Sequence, residues 1–335
     1  MQKFIVLAIA ALAVCSTLNV EDDYARFQSF IKKYGKQYDS VEEYMARFSI
    51  FKRRVNKLKA HKTWTETITQ FSDLTIQEFR KQYANLDVRA FTGAKFNPVK
   101  PVKGAANDDY FNYVDQGYLG PVKNQGSCGS CYAFSAIGNL EGLYFGKTHQ
   151  NVELSEQMIV DCDTDDAGCN GGLMELTWTW IQENGGINTQ ADYPYEGRER
   201  NCRSNPSGYV QDLHVTGWNK LGDKQETWDP QNQGEIKDWL VSNGGPVSIA
   251  LNADALMSYG SGIIDADEYE CDPEGINHGV ILVGYGTENG VDYWIVRNSW
   301  GASWGEKGYF RIKRDDSSSQ AVCGMNVYIT SATIE

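Results

Sequence analysis

The sequence predicts an α+β protein in which a helical lobe and a mostly β lobe follow a separate helical segment. Three observations lead to this prediction. Apolar residues recur at helical spacing from Glu21 to His61, helical stretches lie between Ser130 and Asn184, and β-branched runs separated by glycine-rich turns follow Val210. With 335 residues and 41% hydrophobic content, the chain can bury a core in more than one unit.

The first residues have the order of a secretory signal peptide. Lys3 precedes an apolar run from Phe4 to Val14, and small residues follow up to Ser16. The run is shorter than the roughly 20 residues that a membrane-spanning helix needs, and no later stretch approaches that length. We therefore expect residues 1–16 to be a signal peptide, no membrane span, and a destination in a lysosome, a vacuole or the extracellular space. A buried N-terminal helix is the alternative.

Two amphipathic helices are expected in the front segment. The first is interrupted at Gly35, and the second runs from Val41 to Lys62. Residues 91–107 then have the glycine and proline content of a linker. A domain boundary after residue 106 follows, which separates residues 17–106 from residues 107–335.

Charge divides at the same boundary. Residues 17–106 carry 17 basic and 10 acidic side chains, a net charge of +7, whereas residues 107–335 carry 13 and 34, a net charge of −21. Opposite charges on one chain favour docking of the front segment on the rest, although two separately solvated surfaces would show the same composition. An acidic main part argues against nucleic acid and anionic membranes as partners.

Three helices and several strands are expected in the main part. Gly146 is expected to end the first helix, and the Gly185-Gly186 pair to end the third. The helices are Ser130 to Tyr144, Ser155 to Cys162 and Leu173 to Asn184, and the strands are Pro246 to Leu251, Gly279 to Val283, Tyr293 to Val296 and Tyr309 to Ile312.

An odd number of cysteines remains once Cys15, at the edge of the expected signal peptide, is set aside. In an oxidising compartment one thiol is then unpaired, either for a partner chain or for chemistry. The seven are Cys128, Cys131, Cys162, Cys169, Cys202, Cys271 and Cys323.

Cys131 stands in the densest motif of the chain, Asn-Gln-Gly-Ser-Cys-Gly-Ser-Cys-Tyr, which begins at Asn124. A Cys-x-x-Cys pair is also compatible with a disulfide framework, a zinc site or redox thiols. The helix that begins at Cys131 directs its N-terminal dipole at the sulfur and favours the thiolate, and the neighbouring glycines let a ligand approach the backbone. These features predict a nucleophile.

A thiolate nucleophile needs an imidazole that holds its proton and later protonates the leaving group. Of the four histidines, His278 lies at the glycine-rich entrance to a strand, just after Cys271. Asn298 could orient the imidazole, and Trp300 could keep water away from that hydrogen bond. A structural histidine and an aromatic core strand are the alternatives for these two segments.

The segments around Cys131, His278 and Asn298 resemble those of the papain and cathepsin L family, including its cysteine signature followed by distant histidine and asparagine. The resemblance implies a papain-like two-lobe fold with a helical left lobe and a β-barrel-like right lobe. It implies Cys131 as nucleophile, His278 as proton partner, Asn298 as its orienting group and Trp300 as its cover. Gln125 and the Cys131 backbone amide would hold the developing oxyanion.

The resemblance also implies how the cysteines pair. Cys128 would join Cys169, Cys162 would join Cys202, and Cys271 would join Cys323, which leaves Cys131 free. No cofactor and no metal are implied.

The front segment resembles the inhibitory propeptide of the cathepsin L group. Glu43, Arg47, Phe51 and Leu58 fit its helical pattern, and the Phe71-x-Asp73 pair fits its second motif. Arg54 and Lys62 replace asparagines of the helical pattern. The resemblance implies that residues 17–106 inhibit a mature peptidase of residues 107–335.

A specificity pocket is implied for the substrate residue two positions before the cleaved bond. Tyr328 stands where the pocket floor closes, so it should shorten the pocket and favour Leu or Val over large aromatic residues. The resemblance implies that the substrate is bound by Gly171, Gly172, Leu173, Met174, Ala250, Asn277, Gly279 and Tyr328.

The resulting hypothesis is a cysteine endopeptidase that acts on proteins and peptides, has its own propeptide as inhibitor and is a monomer. No histidine-rich insertion that would restrict the cleft to chain ends is found in the sequence. A non-catalytic relative that binds peptides or inhibits proteases is the main rival. A structural disulfide protein or a Cys/His metal site is a weaker alternative, because the three implied pairings use every cysteine but one.

Overall fold

The computed structural model describes residues 22–86, 97–106, 108–222 and 229–335. The expected signal peptide, residues 1–16, and part of the expected linker lie outside the described residues. No helix among the described residues is long and apolar enough to cross a membrane.

The front segment folds as two crossed helices followed by a short strand and a third helix. They are α1 (residues 22–34), α2 (Val41–Val55), β1 (Trp64–Glu66) and α3 (Ile76–Tyr83). Phe27 and Phe30 of α1 pack on Phe51 of α2, as the helical spacing predicts. Thr75 and Glu78 form a capping box that fixes the start of α3.

The second helix is shorter than predicted. It ends at Val55 rather than at Lys62, because the chain turns after Asn56 and runs into β1. β1 pairs antiparallel with β6 (Tyr259–Ile264) of the main part. Contact with the main part therefore determines the structure of the segment after Val55. The helical spacing of its apolar residues reflects only local preferences.

The helical lobe contains α4 (Cys131–Thr148), α5 (Glu156–Cys162) and α6 (Met174–Asn184). α5 and α6 confirm the predicted helices, with Ser155 as the cap of α5 and Gly185 in the left-handed conformation after α6. α4 passes through Gly146 and ends at Thr148, with His149 as its C-cap, so the predicted stop is wrong. A Cβ at Gly146 would lie 2.0 Å from the Gly244 carbonyl oxygen, so this glycine allows two segments to approach closely.

The β lobe is built on one large sheet that contains all four predicted strands. Besides β1 and β6, its strands are β2 (Asn97–Val99), β3 (Phe111–Asn112), β4 (Val215–Leu221), β5 (Val247–Leu251), β7 (His278–Glu288), β8 (Val291–Arg297), β9 (Tyr309–Lys313) and β10 (Tyr328–Ile334). The strands follow the order β1-β6-β9-β8-β7-β5-β10-β4-β2, and β3 pairs with β7. Helix α7 (Gln233–Ser242) packs beside the sheet.

Two buried contacts fix the helical lobe against the sheet. Ser135 of α4 donates its hydroxyl to the Val280 carbonyl at 2.8 Å, and Asn139 donates its amide to the Pro246 carbonyl at 2.8 Å. The N-terminus of α4 therefore faces the start of β7. Residues Cys131 and His278, which begin these two elements, are brought to one place.

The structure forms three disulfides, and they are the same pairs that the family resemblance implies. They join Cys128 to Cys169, Cys162 to Cys202 and Cys271 to Cys323. Among the described cysteines only Cys131 is free, and it is buried. No cluster of three or more histidine, cysteine or acidic residues in the described parts of the chain could hold a metal ion.

Candidate active site

Cys131 lies at the N-terminus of α4 with its side chain fully buried. The backbone N–H groups of Gly279 and Asn85 lie near its sulfur and favour the charged form. Burial raises the pKa of the Cys131 thiol to about 11, and these N–H groups offset only part of that effect. In this state the thiol is neutral over the physiological pH range.

His278 is the first residue of β7, and its ring is held on two sides. Nε2 lies 2.9 Å from Oδ1 of Asn298, which also accepts the Ser299 N–H. Trp300 stacks on the ring with centroids 4.7 Å apart. Since Oδ1 is an acceptor, Nε2 carries the proton and Nδ1 is free to take one.

The other ring nitrogen of His278, Nδ1, has no hydrogen-bond partner among the described residues. Burial lowers the pKa of His278 to about 4, although the hydrogen bond to Asn298 opposes this. No hydrogen bond joins the ring to the Cys131 sulfur here, even though Gly279, the next residue, contacts that sulfur. Both groups are neutral neighbours in this structure.

Gln125 presents its side-chain amide to the segment that leads into α4. Its Nε2 donates to the Cys128 carbonyl at 2.9 Å and to the Tyr83 carbonyl at 3.3 Å. Ser299 donates its hydroxyl to Oε1 at 2.6 Å and holds the amide in this orientation. The Tyr83 carbonyl of the front segment therefore meets an N–H donor here.

The front segment fills the cleft between the lobes. Tyr83 contacts Gln125, Asn85 contacts Cys131, and the Leu86 N–H donates to the Asn277 carbonyl at 2.8 Å. The Leu86 side chain is only 4% exposed. It lies in the apolar cluster that includes Leu173, Met174, Ala250 and Tyr328.

Two glycines of the expected binding region make room for backbone. A Cβ at Gly171 would lie 2.2 Å from the Asn85 carbonyl oxygen. A Cβ at Gly172 would lie 2.4 Å from an Asp166 carboxylate oxygen and 2.7 Å from the Tyr132 ring. Any larger residue at Gly171 would therefore push away a chain that lies in the cleft.

Comparison with known proteins agrees with this arrangement. Residues 108–333 match the family described as papain family cysteine protease. The chain belongs to the papain family of cysteine proteases.

The front segment also matches a known inhibitory domain. Residues 27–79 match the cathepsin propeptide inhibitor domain (I29). The protein is therefore a cysteine protease, a hydrolase, and it is made as a zymogen with an inhibitory propeptide. The described residues up to Leu86 are called the prosegment from here on.

Individual relatives extend over most of the chain. Cathepsin F of Drosophila melanogaster is 36% identical over 92% of this chain, which spans 50% of that relative. Cysteine proteinase 15A of Pisum sativum is 37% identical over 94% of the chain and 86% of the relative. The solved structure of digestive procathepsin L2 from Tenebrio molitor larval midgut has a TM-score of 0.82 at 30% identity and covers 93% of this chain and 99% of that one. The papain-like α+β fold is confirmed.

The floor of the apolar cluster contains a residue that sequence reasoning missed. Tyr328 is fully buried, pairs across the sheet with Ala250, and has its hydroxyl close to the buried carboxyl group of Glu175. Burial raises the pKa of Glu175 to about 7, and the nearby Tyr328 hydroxyl opposes this shift. Glu175 follows Met174 directly, so the papain family motif gave its position but not its contact.

The structure brings several of the predicted site residues into contact. His278 meets Asn298 and Trp300, and its neighbour Gly279 lies beside Cys131. Gln125 is joined to this group through Ser299, the residue after Asn298. Ser299, which holds Gln125, was missed although it is adjacent to Asn298. Six of the residues predicted to bind substrate line the path of the prosegment or the apolar cluster beside it: Gly171, Leu173, Met174, Ala250, Asn277 and Tyr328. The other two, Gly172 and Gly279, pack just behind them.

Proposed function

We propose that this protease is an endopeptidase in which Cys131 attacks the peptide carbonyl as a thiolate and His278 supplies the proton to the leaving amine. The proposal rests on the one free cysteine of the described chain, which lies at a helix N-terminus, and on a nearby buried histidine whose Nδ1 has no hydrogen-bond partner among the described residues. Asn298 holds the opposite ring nitrogen, and this fixes the tautomer that the reaction needs.

The proposed reaction follows from these positions. The thiolate forms a bond to the carbonyl carbon, and the oxygen takes up negative charge between the Gln125 amide and the Cys131 backbone N–H. The imidazolium of His278 gives its proton to the nitrogen of the leaving amine as the C–N bond breaks. The neutral ring then takes a proton from water, and the resulting hydroxide attacks the thioester carbon. The C–S bond breaks, the acyl group leaves as the carboxylic acid, and the thiolate–imidazolium pair is restored.

Titration with a thiol-directed epoxide tests this proposal. The matured protein is expected to bind one equivalent and to lose its peptidase activity, because only Cys131 is free among the described cysteines. The Cys131→Ser variant is expected to bind none and to have no activity. A protein that is labelled at Cys131 but does not hydrolyse peptides would support the non-catalytic rival, and activity in Cys131→Ser would refute the proposal.

We propose that the apolar cluster around Tyr328 binds the substrate residue two positions before the cleaved bond and prefers leucine or valine. Leu86 of the prosegment is buried in the same apolar cluster as Met174, Ala250 and Tyr328 and supports this choice of residue. The fully buried Tyr328 ring shortens the space below it. A large aromatic ring would have to displace packed side chains.

Fluorogenic dipeptide amides that differ only at that residue measure the preference. We expect kcat/KM to be about 10-fold higher for leucine than for phenylalanine, since a pocket that is too short rejects the larger ring. Tyr328→Ala should reduce this ratio by enlarging the pocket, whereas Tyr328→Phe keeps the ring and should preserve it. A wild-type preference for phenylalanine would contradict the proposal.

We further propose a propeptide of residues 17–106, a mature enzyme of residues 107–335, and an exported, monomeric protein that acts on proteins and peptides. The family match that begins at residue 108 supports the boundary. Three disulfides support an oxidising compartment, either a lysosome or vacuole or the extracellular space.

A further inference from the structure

The prosegment places one cation on the protease surface beside the cleft. Arg80, in the last turn of α3, forms a two-pronged ion pair with Asp254: its Nε donates to Oδ1 at 3.0 Å, and its Nη2 contacts Oδ2. The Asp254 side chain is 17% exposed under this cover. Bidentate pairing of this kind is the preferred way in which a carboxylate recognises a guanidinium group.

Asp254 is connected to the reacting residue His278 through Asn277. Asn277 immediately precedes His278, and its amide bridges the start of this turn: Oδ1 accepts the Ala253 N–H at 2.9 Å, and Nδ2 lies 3.5 Å from the Asp254 carboxylate. The Asp254 N–H donates to Asn252, which fixes the turn that presents the carboxylate. The carboxylate is therefore held in position without Arg80.

The path of the prosegment shows on which side of Cys131 this carboxylate lies. Leu86 occupies the apolar cluster at one end, Asn85 crosses the sulfur, and Tyr83 meets Gln125. Arg80 is at the other end of this run, in the helix whose Phe79 packs against Trp300. Since the apolar cluster is assigned to the acyl part of the substrate, Asp254 lies on the side of the leaving group.

We propose that Asp254 forms an acidic subsite that selects a lysine or arginine side chain at the first or second position after the cleaved bond. This inference rests on the proposed function of the cleft. Arg80 shows the chemistry that the subsite accepts, and Asp272 adds negative charge that acts on the same guanidinium. Among the described residues of the mature part, none forms an ion pair with Asp254, so loss of the prosegment leaves the carboxylate available.

The expected preference is moderate. The site is partly exposed, and ion pairs of this kind contribute little at high dielectric, so we expect kcat/KM to be about 3- to 10-fold higher for a basic residue than for glutamine. A glutamate at the same position should be disfavoured by repulsion. The preference should weaken as ionic strength rises, because added salt screens exposed charges.

Internally quenched peptides test the inference in the matured protease. All carry leucine two positions before the bond and differ only after it, where arginine, lysine, glutamine or glutamate stands at the first or the second position. Hydrolysis of a dipeptide coumarin amide, which has no side chain after the bond, serves to normalise the amount of competent enzyme. The variants are Asp254→Asn and Asp254→Ser, the charge reversal Asp254→Lys, and Glu270→Gln as a matched control.

The control removes the other acidic group that pairs with a prosegment cation, Lys59, and should keep the preference for basic residues. Asp254→Asn and Asp254→Ser should abolish the preference, and Asp254→Lys should favour glutamate. A wild-type enzyme without the preference, or one whose preference survives Asp254→Asn, overturns the inference while the coumarin amide is still hydrolysed. Failure to hydrolyse the amide would instead overturn the proposed function.

Discussion

Replacing His278 with alanine is expected to lower kcat/KM by about 10³-fold or more, because a positioned acid-base group contributes on this scale. The variant would lose both the counter-charge that stabilises the thiolate and the proton that the leaving amine requires. Asn298, with its carbonyl 2.9 Å from Nε2, would have no ring to orient. Steady-state hydrolysis of a leucine-containing dipeptide amide measures the loss.

His214→Ala is the matched control, since this exposed histidine lies outside the cleft, just before β4. It should hydrolyse the same amide at the wild-type rate. If His278→Ala retained more than about a tenth of wild-type kcat/KM, the ring could not be the proton donor of the proposed reaction.

The second large effect concerns the state of Cys131 before and after the prosegment leaves. In the precursor, burial raises the pKa of Cys131 to about 11 and lowers the pKa of His278 to about 4, so the pair is neutral between these limits. Both shifts have desolvation as their largest cause, and the chain from Tyr83 to Leu86 lies directly over the site. We therefore expect the prosegment both to block the cleft and to contribute to the burial that keeps the two groups uncharged.

We expect removal of the prosegment to readmit water and to allow a thiolate–imidazolium pair to form. In that pair the proton on His278 comes from Cys131, so its formation takes up no proton from solvent. The neutral pair of the closed state and the ion pair of the open state therefore hold the same number of protons near neutral pH, and the opening of this site depends little on pH there.

Short motifs predicted the reacting residues because each motif fixes a local structure. Cys131 begins α4 and His278 begins β7 in the structure, as the sequence indicated. Contacts between distant segments were beyond such reasoning. Gly146 breaks helices by local preference, yet it lies within α4 because Gly244 must approach it closely.

The docking of the prosegment involves both charged and apolar contacts. Opposite net charges predicted that the front segment would bind the rest of the chain, and within residues 22–86 the ion pairs seen to reach the mature part are Lys59 with Glu270 and Arg80 with Asp254. Phe71 and Phe79 on the Trp300 ring provide apolar contact. Net charge is a long-range property and does not identify which side chains meet.

The rate at which iodoacetamide alkylates Cys131, measured by mass spectrometry as a function of pH in the precursor and in the matured enzyme, tests the central claim most directly. At about pH 6 the matured enzyme should react at least about 100-fold faster than the precursor, because its thiolate forms well below the ordinary thiol pKa of about 8.5. The precursor should gain reactivity only at strongly alkaline pH. Superimposable profiles that both rise near the ordinary thiol pKa would contradict the account.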